Sequence, residues 1–573
     1  MKRTIILGLV AALLLSVVFA GAALAEEKAV FNVGGTWDVP PAYHGNHFAP
    51  GGVGTAYWWV YEPLFVFIPA TWELLETRLG VSYESTPEAF TVKLREGVVW
   101  HDGTPFTSKD VLSTYKVGYL KSWLIWKFLD RIETPDDLTV KFVWKTPIIF
   151  AGPIVAREPV RWPYHIYGKW TEQIDLTIGK DEGVNKTVAT ELLGFKPKKP
   201  IGTGPFMLKA VSTSEMILEK NQDYYAADNI DFDEVYVIQW TANEVLWPLL
   251  KAGKIDASHV ATPPDLTSEI MKAQPGMNLA LPTDLGAFTL AMNLRPEKYQ
   301  HRALTSVEFR QAIAYALDRE QLAKASYYYG LPMTEYAHGL LESLKDPWLT
   351  DWLLENMTHY TYDPAKAEAL LTEIGCTKGP DGFWRDPAGK TIEIEVIAHA
   401  GYSDWVLAIE NIATQLTNFG IKVEARPTEG AIYWGTLTAG NFQWAIEWAA
   451  NWKPVPHPLD GFFRAFSPTG DTSMRVGWPE TRLGALTERL VDQLGTELNV
   501  ARQKKIVEIL AFIHNEYVAS IPFVEKRMMV FHLEGVRVEG WPALEDSFWS
   551  MVPGRVELAY SELMIQGIIK AVR

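Results

Sequence analysis

Phe90-Thr-Val-Lys-Leu-Arg-Glu-Gly-Val-Val-Trp100-His-Asp-Gly-Thr-Pro-Phe106-Thr-Ser-Lys-Asp110-Val is the stretch from which the fold is read. Apolar and polar residues alternate from Phe90 to Trp100, the period of a half-buried strand. Asp102-Gly103 and Pro105 then supply a turn. Thr107 or Ser108 is placed to cap a helix whose first turn carries Asp110, where a carboxylate meets free N–H groups.

The same alternation recurs outward from this point, at 139–144, 216–220, 234–240, 391–398 and 421–426. Helices are expected between these strands. Thr241 with Glu244 forms a capping-box pattern for a helix ending near Gly253, and Thr305 with Glu308 forms another for a helix running to Ala325. Asp363-Pro364 opens a third helix that Gly375 closes, and Ser403 caps a fourth that stops at Gly420. The strand at 391–398, the helix at 404–419 and the strand at 421–426 therefore form a βαβ unit with parallel strands. The class is α/β, mixed sheets with flanking helices. Pro197-Lys-Lys-Pro200 marks a crossing between units.

The N-terminus has the layout of a cleavable leader. Lys2 and Arg3 precede an apolar run, and Ala23-Leu24-Ala25 stands directly before Glu26. Thr4 to Ala25 is 22 residues without a charge, and ~20 apolar residues would span a bilayer. The small-residue site followed at once by two acids favours cleavage. The only cysteine, Cys376, can form no disulfide within the chain, and the leader holds no cysteine for lipid attachment. A freely diffusing periplasmic protein is expected. Loss of the leader, with its two basic residues, takes the formal charge from -16 to -18. Such a charge disfavours nucleic acid as a partner. Trp is unusually frequent, at 23 residues against 23 Tyr and 25 Phe, so flat ligand faces would find many rings to stack on.

Further motifs follow in order. They are Ile201-Gly-Thr-Gly-Pro-Phe206, Leu250-Lys-Ala-Gly-Lys-Ile-Asp256, Val307-Glu-Phe-Arg310-Gln-Ala-Ile-Ala-Tyr-Ala-Leu-Asp318 and Tyr362-Asp-Pro-Ala-Lys-Ala-Glu-Ala-Leu-Leu371. With the opening stretch, they make the chain resemble family 5 of the bacterial extracytoplasmic solute-binding proteins, which includes dipeptide, oligopeptide and nickel binders. The resemblance implies a two-lobed clamshell of the periplasmic-binding-protein kind, type II-like and in the large cluster with an extra subdomain. The implied division is a signal peptide at 1–25, lobe one at 26–62, 193–285 and 522–573, an extra subdomain at 63–192, and lobe two at 286–521. A ligand would lie in the cleft and pass to the permease of an ATP-driven importer, with the binding protein acting as a monomer. No P-loop pattern is present, so the chain is not the ATPase. No cofactor is expected.

Peptide-binding relatives place an Asp in a W-x-A-D-Y-like segment, where it pairs with the ligand's amino group. Here the segment reads Trp448-Ala-Ala-Asn451-Trp452. An amide between two Trp residues suits sugar hydroxyls better than an ammonium. An oligosaccharide, β-linked gluco- or manno-, is therefore the expected ligand, and the chain resembles the family's oligosaccharide binders from heat-loving bacteria more than its peptide binders. Candidate ligand-binding residues are Trp448, Asn451, Trp452, Trp240, Trp58, Trp37, Trp434, Asn243 and Tyr57, with Trp59, Trp247 and Trp549 as further platforms. Of adjacent Trp58 and Trp59, one should point inward and the other outward. Glu447, Lys453, His457 and Arg464 are polar companions. A peptide remains the alternative ligand.

Two other readings carry less. A secreted, acidic, Trp-rich chain could be a glycoside hydrolase, but carboxylate pairs are plentiful in any acidic protein. His44-Gly-Asn-His47 could hold a metal, but Pro40, Pro41 and Gly45 predict a loop there.

Overall fold

The computed structural model describes residues 28–67, 74–148, 150–156, 158–449, 457–546, 548–551 and 556–573. The expected leader lies outside them. Two large sheets organise the described chain. The first, of seven strands, runs Met277–Ala280, Val530–Leu533, Ala257–His259, Val30–Gly35, Glu234–Gln239, Glu215–Lys220, Phe206–Val211. The second, of six strands, runs Leu331–Pro332, Ile521–Arg527, Thr283–Met292, Trp444–Ala449, Glu393–His399, Lys422–Thr428. Both mix parallel and antiparallel pairs. Each sheet is the floor of one lobe.

The expected βαβ unit is present in the second lobe. Glu393–His399 and Lys422–Thr428 pair in parallel, with Glu393 opposite Lys422. Helix Ser403–Phe419 connects them, starting after Tyr402 without the side-chain cap expected of Ser403, and turns Trp405, Ala408, Ile409, Ile412 and Leu416 into the core. That spacing keeps one stripe of the helix on the sheet, and full burial of each large side chain stabilises by roughly 1.5–3 kcal/mol. Gly420 ends the helix at φ +110, a conformation that side chains with a Cβ avoid.

The stretch 90–111 forms part of a third, four-stranded sheet, in the order Gly80–Ser85, Ala89–Leu94, Thr139–Trp144, Leu129–Asp136. Its strand stops at Leu94, earlier than the alternation predicts, because Gly97 turns the chain at φ +77. Trp100 nevertheless enters the core. Of the two expected caps, Thr107 is the one used, and with Asp110 it makes a capping box for helix Ser108–Leu120. Phe90, Val92 and Phe142 share one apolar cluster with Leu459, Phe462 and Leu510 of the second lobe, so this subdomain packs across the cleft.

Three further expectations are corrected. The Thr241/Glu244 box does not form: helix Asn243–Lys251 starts without a side-chain cap. Its first turn instead meets the other lobe, where the Asn243 N–H donates to the Gly401 carbonyl at 3.3 Å. The helix expected from Thr305 to Ala325 is two helices, Val307–Ala316 capped by Ser306 and Arg319–Ser326 capped by Asp318. The Asp318 side chain takes the Gln321 N–H, which favours a new start over continuation. Finally, Ile521–Arg527 pairs within the second sheet, so the return to the first lobe comes after Arg527 and not at 522.

The outward crossing is at Leu281-Pro282 and the return at Met528-Met529, and they touch: the Met528 N–H donates to the Pro282 carbonyl at 2.8 Å. Deep in the interior a separate ion cluster joins distant segments. Arg78 Nε lies 3.0 Å from Glu62 Oε1, and Arg78 Nη1 lies 3.1 Å from Glu562 Oε1. The Tyr224 and Tyr225 hydroxyls donate to Glu62 at 2.6 and 3.1 Å.

Candidate functional site

Where the two crossings meet the cleft, a cavity of about 260 Å³ opens between the lobes. The first lobe contributes Trp240, Thr241, Asn243 and His259, and the second Asp284, Phe288, Tyr402, Asp404, Trp405, Trp448 and Lys526. Trp240 ends the strand Glu234–Gln239, its N–H bonded to the Gly35 carbonyl at 2.7 Å, and its ring meets His259 edge-on at 5.3 Å. Strand-to-helix junctions of this kind are where α/β folds take ligands.

The second-lobe wall is aromatic. Trp448 lies 5.0 Å from Phe288 and 5.9 Å from Trp405, and Trp405 lies 6.3 Å from Trp434. All three contacts are edge-to-face, the geometry that ring quadrupoles favour. Alternation along Trp444–Ala449 explains the selection: Trp444 and Ile446 are buried, and Trp448, on the same face, reaches the cavity only partly covered.

Charged groups sit beside this wall. Lys526 Nζ is 3.8 Å from Asp284 Oδ2 and 4.9 Å from the centre of the Trp448 ring. Asp404, in the first turn of helix Ser403–Phe419, is buried, which pushes its carboxyl above the usual range, while the Lys526 charge opposes that shift. Asn243 Nδ2 donates to Ser403 Oγ at 2.8 Å, tying the lobes together at the cavity rim. Nothing larger than hydrogen fits at Gly401, where a Cβ would lie 2.5 Å from the Thr241 carbonyl oxygen of the other lobe.

Of the residues expected to bind ligand, the structure brings Trp240, Asn243 and Trp448 together, with Trp434 joined through Trp405. Asn451, Trp452 and Lys453 lie outside the described residues. Trp37, Trp59 and Trp549 are corrections: they are buried in the first-lobe core, Trp37 and Trp549 with their indole N–H groups on the Ser212 and Ala543 carbonyls. Trp247 donates to the Ala261 carbonyl at 3.0 Å beside the cavity without lining it. Trp58 and Trp59 divide as expected, Trp59 wholly buried and Trp58 half-buried, but on the short helix Tyr57–Val60 and not on an alternating strand.

Tyr57 belongs to another cluster, where Arg161 donates to its hydroxyl and pairs with Glu158 at 2.7 Å. That cluster borders a second cavity of about 210 Å³, lined by Trp123, Glu158, Asp460, Arg464 and Asp471 among others. Arg464 is thus held there by Asp460 and Asp471. Glu447 is a further correction. It projects from the face of its strand opposite Trp448 and pairs with Arg475, and burial pushes its carboxyl up to about 7. His457 is wholly buried as a helix cap, its Nδ1 accepting the Leu459 N–H. Nor is His44 available to a metal: Nε2 donates to the Pro50 carbonyl and Nδ1 accepts the Asn46 N–H.

Reading the sequence missed Asp284, Phe288, Tyr402, Asp404, Trp405 and Lys526. Trp405 and Asp404 had a signal, since they follow the Ser403 position at the top of the βαβ unit.

Two sheet-floored lobes, two touching crossings and a ligand-sized cavity between them define a two-lobed solute-binding protein. The profile of bacterial extracellular solute-binding proteins, family 5 Middle, matches residues 78–473, and the chain belongs to that family. It is 26% identical to the glutathione-binding protein GsiB of Pectobacterium atrosepticum over 78% of this chain and 82% of that one. It is 24% identical to di/tripeptide-binding protein 1 of Pseudomonas aeruginosa over 56% of this chain and only 58% of that one. A mannohexaose-bound periplasmic oligopeptide-binding protein of an oligopeptide ABC transporter from Thermotoga maritima superimposes with a TM-score of 0.78 at 23% identity, over 95% of this chain and 99% of that one. The oligopeptide-binding protein AppA of Bacillus subtilis, in complex with a nonapeptide, gives 0.73 at 18% identity, over 95% and 99%.

Proposed function

We propose that this protein is exported to the periplasm, captures a neutral oligosaccharide, β-linked gluco- or manno-, between its lobes as a monomer, and delivers it to an ABC importer permease without altering it. The observation that carries this reading is the aromatic wall of Trp448, Phe288 and Trp405 facing Trp240 across a cavity edged with hydrogen-bonding groups. Sugar rings present flat C–H faces to such walls and hydroxyls to the groups beside them. The mannohexaose-bound neighbour from Thermotoga maritima shares the fold and supports the same choice. Closing the lobes shuts out water and strengthens every polar contact within.

A peptide is the second reading. Asp404 and Asp284 are carboxylates on the cavity wall of the kind a ligand ammonium pairs with, and several relatives carry peptide-binding names.

Thermal melting of the mature protein against cello-, manno- and malto-oligosaccharides, mixed peptides and nickel separates these readings, because a ligand bound only by the native state raises the melting temperature. A rise with a β-linked sugar series, the sugar recovered intact, is expected. A rise with peptides alone would overturn the sugar reading, and cleavage of the sugar would make the protein a hydrolase.

A further inference from the structure

Lys526 stands where a ligand's ammonium would be expected. Its Nζ lies 4.9 Å from the Trp448 ring centre, 5.7 Å from Phe288 and 5.8 Å from Tyr327, with Asp284 Oδ2 at 3.8 Å. Asp404 lines the same cavity and is buried. Three ring faces and two carboxylates are the groups that bind an ammonium well, through the ring quadrupoles and charge-assisted hydrogen bonds. Here the cation is the protein's own.

The backbone is bent to build this arrangement. Thr283 pairs with Arg527 and Ala287 with Glu525, so three residues, Asp284 to Gly286, bulge opposite the single residue Lys526. Leu285 within the bulge has φ +52, a strained conformation for a residue with a side chain. Bulges of this kind re-aim side chains beside functional sites. This one brings the buried Asp284 against Lys526.

We propose that Lys526 is a tethered ammonium that fills a cation cage of Trp448, Phe288, Tyr327, Asp284 and Asp404, so that the site turns away ligands bearing an ammonium and keeps neutral ones. The inference rests on the neutral-sugar reading above and deepens it, assigning the rejection of peptides and amino sugars to one residue. A second ammonium entering the cage would find its carboxylates engaged and a like charge already present. Discrimination built on repulsion is as effective as discrimination built on attraction.

The test is Lys526→Met, which keeps most of the apolar stem and removes the charge, with Lys526→Gln as a second neutral variant should the first not fold. Calorimetric titrations would use mannotriose, a glucosamine trimer and trialanine on wild type and variant, and thermal melts would be run with and without ethylammonium. The variant is expected to bind the glucosamine trimer or trialanine at least tenfold more tightly than wild type does, and to raise their affinity relative to that for mannotriose at least tenfold. Ethylammonium should raise the melting temperature of the variant and leave wild type unmoved, and Asp284→Asn added to the variant should cancel both gains. The proposal is overturned if no ammonium probe gains affinity, or if wild type already binds the glucosamine trimer as tightly as the variant. If wild type binds no sugar while ethylammonium still stabilises the variant, the sugar reading fails and the cage stands.

Discussion

The interior cluster Glu62–Arg78–Glu562 and the cavity cluster Asp284–Lys526–Asp404 each contain two acids and one base. Arg78 is planar and forked, and it reaches both partners at hydrogen-bonding distance with side-chain exposures of 1% or less throughout. Two tyrosine hydroxyls add to one of its acids. Lys526 is a point charge on a flexible stem, farther from Asp284 at 3.8 Å, and 17% exposed. The guanidinium cluster ties Glu62 and Arg78 to the helix Val556–Ile565 and is shut off from solvent. The ammonium cluster opens on a cavity. The same charges thus act as a fixed joint in one place and as a tethered occupant of a ligand site in the other, and the difference lies in the shape of the cation and the space beside it.

The largest effect that would test this contrast is on stability. Arg78→Met leaves two buried carboxylates without their cation and is expected to cost about 3–5 kcal/mol in urea unfolding, with ligand preference unchanged. An equal cost for Lys526→Met would erase the distinction. Next, Trp448→Ala should weaken ligand binding by about 2 kcal/mol, roughly thirtyfold by titration, as expected for an aromatic anchor. Trp549→Phe should leave affinity unchanged and affect only melting, because Trp549 packs in the first-lobe core.

A smaller effect is a slope against pH. Glu447 is held at about 7 in the fold against an ordinary 4.5, so between these values the folded state binds more protons than the unfolded one. Its contribution to stability therefore grows as pH falls from about 7 towards 4.5 and is lost as pH rises through 7. The stability of wild type relative to Glu447→Gln should drop by on the order of 2–3 kcal/mol as pH rises from 4.5 to 7. A flat difference would mean that Arg475 holds the carboxylate ionised throughout. Least of all, Asn243→Ala removes one bond between the lobes and should weaken affinity by about 1 kcal/mol, through faster ligand release.

The βαβ unit was legible because its signals are local, alternation and a glycine at 420, although Ser403, read as the helix cap, lies inside the helix and makes no cap bond. The same alternation carried Trp448 to the cavity side of its strand. Trp37 and Trp549 were not legible as core residues, since nearness to a strand end does not say which way a ring turns, and here both indoles found backbone carbonyls inside the first lobe. Glu447 shows the complement, one residue from Trp448 and on the opposite face. The pairing of Asp284 with Lys526 had no trace in the sequence. It arises from a bulge between strands far apart in the chain, and register across such a distance is set by packing. The helix start at Asn243 was misread for a related reason, because a contact from the other lobe replaced the expected cap.

The paired crossings at Leu281-Pro282 and Met528-Met529 lie within two residues of Asp284 and Lys526. When one body swings against another, displacement grows with distance from the axis, so groups at the pivot scarcely travel. The cage and its Trp448 ring would therefore remain assembled with the lobes apart, and opening would chiefly withdraw Trp240 and Asn243 from across the gap. Ligands would then be sorted on arrival, by a reading surface already in place, and closure would determine only how long the accepted ones stay.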